Sequence, residues 1–179
     1  VTFTLDKQPV PYPVDPTKKV LAGYFGLIKL DSLLEILTDE IDGEKKLKKG
    51  IFEDNIRDYL GANEDIEVNL NMAKEIKGDN AHLFGILNNG ITVIADDINI
   101  VTSEVTLTNY QIVNGCQTCN VLFESERYLE TRDIYIPIRL ISTQDEDTKQ
   151  SIIKATNSQT ALKPEQIAAL KPEQKDLEE

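Results

Sequence analysis

The spacing of apolar residues changes part-way along the chain, and this change limits the folds that it can adopt. Between residues 27 and 37 the apolar side chains recur at helical spacing, so we expect an amphipathic helix from about Asp31, with Asp31 or Ser32 as N-cap. From residue 82 onward they form short β-type runs, at 82–87, 91–95, 110–113 and 134–142. A chain with both periods is predicted to form an α+β (mixed α/β) domain.

Two of the β-type runs flank a strong turn signal. Residues 83–87 and 91–95 are separated by Asn88-Asn89-Gly90, and Asn-Gly tolerates the positive φ angles of a tight turn. We therefore expect a central antiparallel β-hairpin that turns at these three residues. The further strands and the helices should pack around it, and Pro137 indicates an edge strand or a bulge.

Other segments carry helical spacing or charge. Residues 39–50 are predicted to be a solvated charged loop. Thr143 and Glu146 match a capping box, which predicts a helix that ends near Asn157. Helices are also predicted at 63–78 and 116–130, and a short helix or turn at 50–61.

The first part of the chain differs in composition from the rest. Residues 1–19 contain four prolines and no helical period, so they are predicted to be an extended arm or linker. Residues 20–179 are predicted to form one α/β domain, a normal size for a single hydrophobic core. Since the chain opens at Val1 and Met72 is its only methionine, we expect a piece of a longer protein.

Charge and cysteine content narrow the function classes. Nineteen basic against 31 acidic residues give a net charge of −12, which disfavours non-specific binding to duplex nucleic acid. No apolar run approaches the ~20 residues of a membrane span, and no secretory signal opens the chain. Cys116 and Cys119 form a lone CxxC, too few thiols for a zinc site. We expect two reduced, half-buried cysteines in a cytoplasmic protein, with a redox pair as the less favoured alternative.

Three uncharged polar clusters interrupt the apolar elements, at 88–92, 111–118 and 155–160. Their amides and hydroxyls both donate and accept hydrogen bonds. In the second cluster a strand meets a helix at Asn114-Gly115, where the free amides of the first helical turn would favour an anion such as phosphate. Alternatively, each cluster is a plain turn whose amides satisfy the local backbone.

Four motifs carry a resemblance to a known family. GIFEDNIRDYLG, NNGITVIADD, QIVNGCQT and IIKATNSQT occur in this order between residues 47 and 177. In this the chain resembles the abortive-infection phage-resistance (AIPR) family. The resemblance implies a bacterial protein of phage defence, but it brings no settled catalytic mechanism.

A looser similarity connects one strand–helix element to ParB-like and DGQHR-type domains, which handle nucleotides or DNA. Asn114 stands where those domains have an acid, and Thr118 stands near their basic residue. A ParB-like core is therefore compatible with the order of elements, whereas ParB-type chemistry is doubtful.

Our first hypothesis is a domain that binds a nucleotide or nucleic acid through an Asn/Gln/Thr-rich polar pocket, with protein partners in a defence system. Arg57 would supply charge to the pocket, with an ordinary ion pair as the alternative. The candidate ligand-binding residues are Asn55, Arg57, Asn88, Asn89, Gly90, Thr92, Asn114, Gly115, Gln117, Thr118, Asn157 and Gln159.

Two alternatives stay open: a metal-dependent nuclease or nucleotide hydrolase, and a structural scaffold whose clusters are buried amide networks. No catalytic residue stands out, because His82 is the only histidine and no phosphate-loop motif is present. Asp96 and Asp97 could hold Mg²⁺. Adjacent strand residues point to opposite faces, however, so solvated acids are the favoured interpretation.

Overall fold

The fold is taken from a computed structural model that describes residues 1–48, 50–52, 78, 81–125 and 134–157. Its eight strands are β1 Thr2–Thr4, β2 Val10–Pro11, β3 Ala22–Lys29, β4 Thr38–Ile41, β5 Glu44–Leu47, β6 Ile91–Val101, β7 Glu104–Asn114 and β8 Tyr135–Ser142. The α-helices are α1 Leu30–Leu37, α2 Phe84–Leu87, α3 Cys116–Ser125 and α4 Glu146–Asn157, and 3-10 turns lie at Pro16–Lys18 and Ala81–Leu83.

Six strands form one mixed sheet in the order β1-β7-β6-β8-β3-β2. The pair β6–β8 is parallel and the other neighbours are antiparallel. Strands β4 and β5 form a separate two-stranded sheet. A mixed sheet packed by helices confirms the predicted α+β class, whereas a ParB-like core stays a prediction.

The two faces of the large sheet are covered differently. On the core face, alternate residues of β8 (Ile136, Ile138 and Leu140) join the main hydrophobic core with side chains of α1 and α3. On the outer face, Ile153 of α4 packs against Ile94 and Val113 in a smaller cluster. Since α4 lies over the β6–β7 side, part of the outer face near β3 and β2 stays open, and Phe25 there is 44% exposed.

The predicted hairpin at Asn88-Asn89-Gly90 is wrong. Residues 81–87 are helical, and β6 begins only at Ile91. The run is too short for its apolar pattern to separate a buried helix turn from a strand. Phe84 is fully buried and Ile86 is 81% exposed, the one-sided burial of a helix turn at a surface.

The hairpins that do form turn elsewhere. Strands β6 and β7 join through Thr102 and Ser103, and Thr102 has a φ of 58°, an unusual value for a β-branched residue. Residues 39–50, predicted as a loop, contain the β4–β5 hairpin. Its turn is Asp42-Gly43, with φ angles of 53° and 81°. Asp-Gly is a strong hairpin signal in its own right.

The strands predicted at 110–113 and 134–142 are confirmed within β7 and β8, but Pro137 is at neither an edge nor a bulge. It lies in β8, between β3 and β6, opposite Leu27. Its carbonyl oxygen faces Gly90, and pairing with β6 begins only at Ile138. The backbone N–H and C=O of one strand residue point toward the same neighbouring strand. Since the Pro137 carbonyl points toward Gly90 and away from β3, a proline at this position removes no hydrogen bond to β3. The sheet's bulge is on β7, opposite the Thr92–Val93 step.

The helices predicted from about Asp31 and after Thr143 are confirmed, but their caps are not. Neither Asp31 nor Ser32 is the cap of α1, because the N-cap is Lys29 and makes no side-chain cap bond. For α4 the cap is Asp145, whose Oδ2 accepts from the Thr148 backbone N at 2.9 Å and from its hydroxyl at 2.7 Å. The predicted capping box of Thr143 and Glu146 is therefore wrong.

The described part of the helix predicted at 116–130 is α3. Of the short helix or turn predicted at 50–61, only residues 50–52 are described. Ile51 is buried and its carbonyl oxygen accepts from the Ile112 N–H, and Phe52 bridges Ile112 in parallel. Nearly all of the helix predicted at 63–78 lies outside the described residues. Residues 1–19, predicted as an arm, contribute β1 and β2, and Phe3 is buried in the main core. The division of the chain at residue 19 stays a prediction.

Candidate functional site

The second polar cluster lies where β7 ends and α3 begins, beside the start of β6. Gly115 has a φ of 89°, and a Cβ there would lie 2.6 Å from the carbonyl oxygen of Gly90 and 3.0 Å from the Cα of Ile91. The close backbone approach that glycine permits is therefore an approach to β6. This contact fixes the two chain segments against each other.

The polar groups of Asn114 and Gly115 are used within the chain. The Asn114 side-chain oxygen accepts from the Gly115 N–H at 2.9 Å, and its amide nitrogen lies 3.4 Å from the Thr156 carbonyl oxygen near the end of α4. The Gly115 carbonyl accepts from the Cys119 N–H at 2.9 Å. Asn114 thus links β7, α3 and α4, and these contacts are those of a structural junction.

The other predicted ligand-binding residues are distributed around this junction. Asn88 caps α2 by donating from its side-chain nitrogen to the Phe84 carbonyl oxygen at 3.0 Å. Asn89 is exposed, Thr118 is buried on α3, and Gln117 and Asn157 are half-buried. Asn55, Arg57 and Gln159 lie outside the described residues. Ligand binding by this set stays a prediction.

A row of paired residues crosses the outer face next to the junction. Asn114 on β7 is opposite Thr92 on β6, Thr92 is opposite Arg139 on β8, and Arg139 is opposite Phe25 on β3. Directly paired residues share a face. The Thr92 hydroxyl is fully buried and, among the described residues, is the only buried side-chain oxygen or nitrogen without a hydrogen-bond partner.

The outer face contains a cavity of about 350 Å³ beside Arg139 and Phe25, at one end of this row. We call it the Arg139 cavity. Its walls are the segment from residue 12 to 20, strands β3 and β8, and Ile152 of α4. The lining residues are Tyr12, Val14, Asp15, Lys18, Val20, Gly23, Tyr24, Phe25, Arg139, Leu140, Ile141 and Ile152. The cavity thus has an almost entirely apolar surface, and aromatic rings and three charged residues contribute to its walls.

The rings of Tyr12 and Phe25 meet edge to face, with centroids 5.8 Å apart. Arg139 is exposed, and no carboxylate among the described residues forms an ion pair with it. Asp15 accepts from the Thr17 hydroxyl and backbone N–H, and these hydrogen bonds lower the pKa of its carboxyl. Asp15 is therefore a carboxylate at neutral pH.

Comparison with known families shows to which family the chain is related. The family model for AIPR protein matches residues 52–179. The chain belongs to this family. The resemblance seen in the sequence motifs is therefore confirmed, and it suggests a role in abortive infection. No curated protein and no solved structure matches the chain.

The matched part of this AIPR protein includes β6, β7, β8, α3 and α4, whereas strands β1 to β5 precede it. The Arg139 cavity is formed between the two parts. Arg139 and Ile152 come from the matched residues, and Tyr12, Asp15 and Phe25 come from the preceding ones.

The two cysteines of this AIPR protein are free thiols packed in the interior. Cys119 is fully buried in the main core, and this burial raises the pKa of its thiol far above the ordinary value, with a smaller contribution from Cys116. A reactive redox cysteine needs the opposite shift, toward a stable thiolate. The geometry supports a packing role and complete burial instead of the half-burial predicted.

The acids considered as Mg²⁺ ligands lie inside β6. Asp96 accepts from the side-chain nitrogen of Asn109 at 3.0 Å, and Asp97 is exposed. Within the described ranges, no three His, Cys, Asp or Glu side chains come together as a metal-binding group. His82 is exposed in the 3-10 turn before α2. No helix in the described part of the chain is long and apolar enough to cross a membrane.

Sequence reasoning missed the residues of the Arg139 cavity. One signal was available, because Arg139 is the only charged residue in the run IYIPIRLIS. A charge on the second face of an otherwise apolar strand indicates a place where that face is open. The roles of Tyr12 and Phe25 had no such signal, since their approach depends on how β2 pairs with β3.

Proposed function

We propose that this AIPR protein acts in antiphage defence as a ligand-binding module. It binds a nucleotide, or the end of a nucleic-acid strand, in the Arg139 cavity. The Asn/Gln/Thr clusters then have mainly the scaffold role, holding β6, β7 and α4 in place beside the cavity. The proposed ligand class is the one expected from the sequence. The proposed binding site, however, is the Arg139 cavity on the neighbouring part of the outer face and not the Asn114-Gly115 junction.

The observation that carries the proposal is the environment of Arg139. Arg139 is exposed, and in the described part of the chain no carboxylate forms an ion pair with its guanidinium, which leaves that group open to a ligand. Guanidinium groups bind phosphate bidentately through two parallel N–H donors. Arg139 is therefore suited to hold a phosphate group of the ligand.

The remaining walls suit a nucleobase. Aromatic rings stack on bases of any sequence, and Tyr12 and Phe25 lie beside Arg139 along the cavity. A binding site with mostly apolar walls and a few polar groups is also the usual arrangement for small ligands.

Calorimetric titration of nucleotides and short single-stranded oligonucleotides tests the proposal. Arg139→Gln should weaken binding about ten-fold, since a hydrogen bond to a charged group contributes about 1.5 kcal/mol or more. Lys46→Gln, which removes an exposed charge from β5, is the matched control and should bind like the wild type. If no nucleotide or oligonucleotide binds the wild type, or if both variants bind equally, the proposal is wrong.

A further inference from the structure

We propose that the Arg139 cavity selects nucleotides with a single phosphate, and that Asp15 is the residue that disfavours polyphosphates. This inference rests on the proposed function and specifies its ligand. It distinguishes a nucleoside monophosphate from a nucleoside triphosphate and from an internal stretch of a strand.

Size is the first limit on the ligand. A volume of about 350 Å³ is near the lower end of the range of roughly 300–1,000 Å³ for small-molecule sites. Such a cavity accepts one base with its sugar. Successive stacked bases would need a longer groove, and the segment from residue 12 to 20 closes the cavity on one side.

Charge is the second limit. The surface of the cavity is almost entirely apolar, and the charged residues that contribute to its walls are two cations, Arg139 and Lys18, and one anion, Asp15, an excess of one positive charge. A terminal phosphate carries about −1.5 to −2 charges at neutral pH. One phosphate therefore uses the positive charge that the lining provides, and each additional phosphate would add negative charge near Asp15.

The carboxylate of Asp15 is held in place by its neighbours. Its Oδ1 accepts from the Thr17 hydroxyl at 2.6 Å and from the Thr17 N–H at 3.0 Å. The wall that carries it is attached to the start of the α4 segment, because the Thr143 hydroxyl donates to the Lys19 carbonyl oxygen at 2.7 Å. The carboxylate of Asp15 is therefore held on this wall segment by its bonds to Thr17.

The test is a titration of nucleoside mono-, di- and triphosphates of one base into the wild type and Asp15→Asn, without divalent cations. The wild type should bind about two- to five-fold more weakly with each added phosphate, the range for exposed charge pairs. In Asp15→Asn this difference should shrink, while the asparagine oxygen can still accept from Thr17. Asp39→Asn on β4, another exposed acid, should leave the selectivity unchanged.

The possible failures are distinguishable. Equal or tighter binding of the triphosphate to the wild type contradicts the selectivity and leaves nucleotide binding standing. An unchanged order of affinities in Asp15→Asn shows that Asp15 does not set it. If none of the three nucleotides binds, the proposed function itself fails and the inference fails with it.

Discussion

Gly115 and Gly43 have nearly the same backbone conformation in different surroundings. Their φ angles are 89° and 81°, but a Cβ on Gly115 would meet Gly90 and Ile91, whereas a Cβ on Gly43 meets nothing within 4 Å. Comparing the two positions separates the cost of the backbone angle from the cost of the contact. It therefore tests whether the junction is a packed structural element.

Gly43→Ala should lower the free energy of unfolding by about 1–2 kcal/mol, the cost of a left-handed residue with a side chain. Gly115→Ala should lower it further, by about 1–3 kcal/mol, because the added methyl group overpacks the junction. Chemical denaturation of both variants measures the difference. Equal costs would show that the space next to Gly115 is open, as a ligand site there would require.

The buried thiol of Cys119 predicts a pH dependence of stability. Burial raises its pKa in the folded state, so at alkaline pH the unfolded chain releases a proton that the folded chain keeps. This contribution to stability is complete below the unfolded thiol pKa of about 8.5 and is lost as the pH rises above it.

Cys119→Ala should therefore show a flatter decline in unfolding free energy above that pH than the wild type does. The difference in slope should reach about 1.4 kcal/mol per pH unit, the value for one proton. Denaturation curves under reducing conditions at several alkaline pH values provide the measurement. Parallel declines in the two proteins would mean that Cys119 titrates normally when folded.

At the scale of elements, the start of α4 depends on Asp145. Hydrogen bonds from Thr148 satisfy two donors at the helix start and, with the neighbouring Lys19, lower the pKa of the Asp145 carboxyl. The stabilisation is present above the ordinary aspartate pKa and is lost as the pH falls through the lowered value.

Asp145→Ala should destabilise the protein by about 1 kcal/mol at neutral pH, the typical cost of losing an N-cap. Glu146→Ala, at the position that the capping box predicted, should change stability by less than about 0.5 kcal/mol. Thermal or denaturant unfolding distinguishes them. If Glu146→Ala lowered the free energy of unfolding more than Asp145→Ala does, the capping box of Thr143 and Glu146 would be supported instead.

Much of the element inventory follows from the sequence because long periodic segments carry enough signal. The helix of residues 30–37 and strand β8, which covers residues 135–142 of the run predicted at 134–142, are examples. The prediction of a hairpin at Asn88 was wrong because a short apolar run is compatible with either a strand or a helical turn. Burial of Phe84 in the core favours the helical turn. The true β6–β7 turn at Thr102 was hidden, since a β-branched residue rarely adopts positive φ.

At the scale of the whole molecule, the sequence predicted a site at polar residues, and the structure offers an open cavity beside them. Asn114 and Thr92 do share the outer face with Arg139. The cavity could not be predicted, because it forms where residues 12–25 meet β8, and that meeting depends on the order of strands in the sheet. Local motifs carry no information on such long-range pairing.

If ligand binding in the Arg139 cavity serves defence, protection against phage should follow the cavity residues. Phe25→Ala should reduce protection in a bacterial host that expresses the full-length protein. Leu27→Ala should retain it, since Leu27 is equally exposed at 44%, lies two residues along the same strand and does not line the cavity. Plaque counts at matched expression levels provide the comparison. Equal protection by both variants would separate the cavity from defence.

The most direct test of the central claim is to locate the bound ligand by nuclear magnetic resonance. A nucleoside monophosphate titrated into the isotope-labelled protein should shift the amide signals of residues around Tyr12, Phe25 and Arg139. The signals around Gly115 and Gln117 should change little. Shifts concentrated at the Asn114-Gly115 junction, or no shifts at saturating ligand concentration, would contradict the assignment of the binding site to the Arg139 cavity.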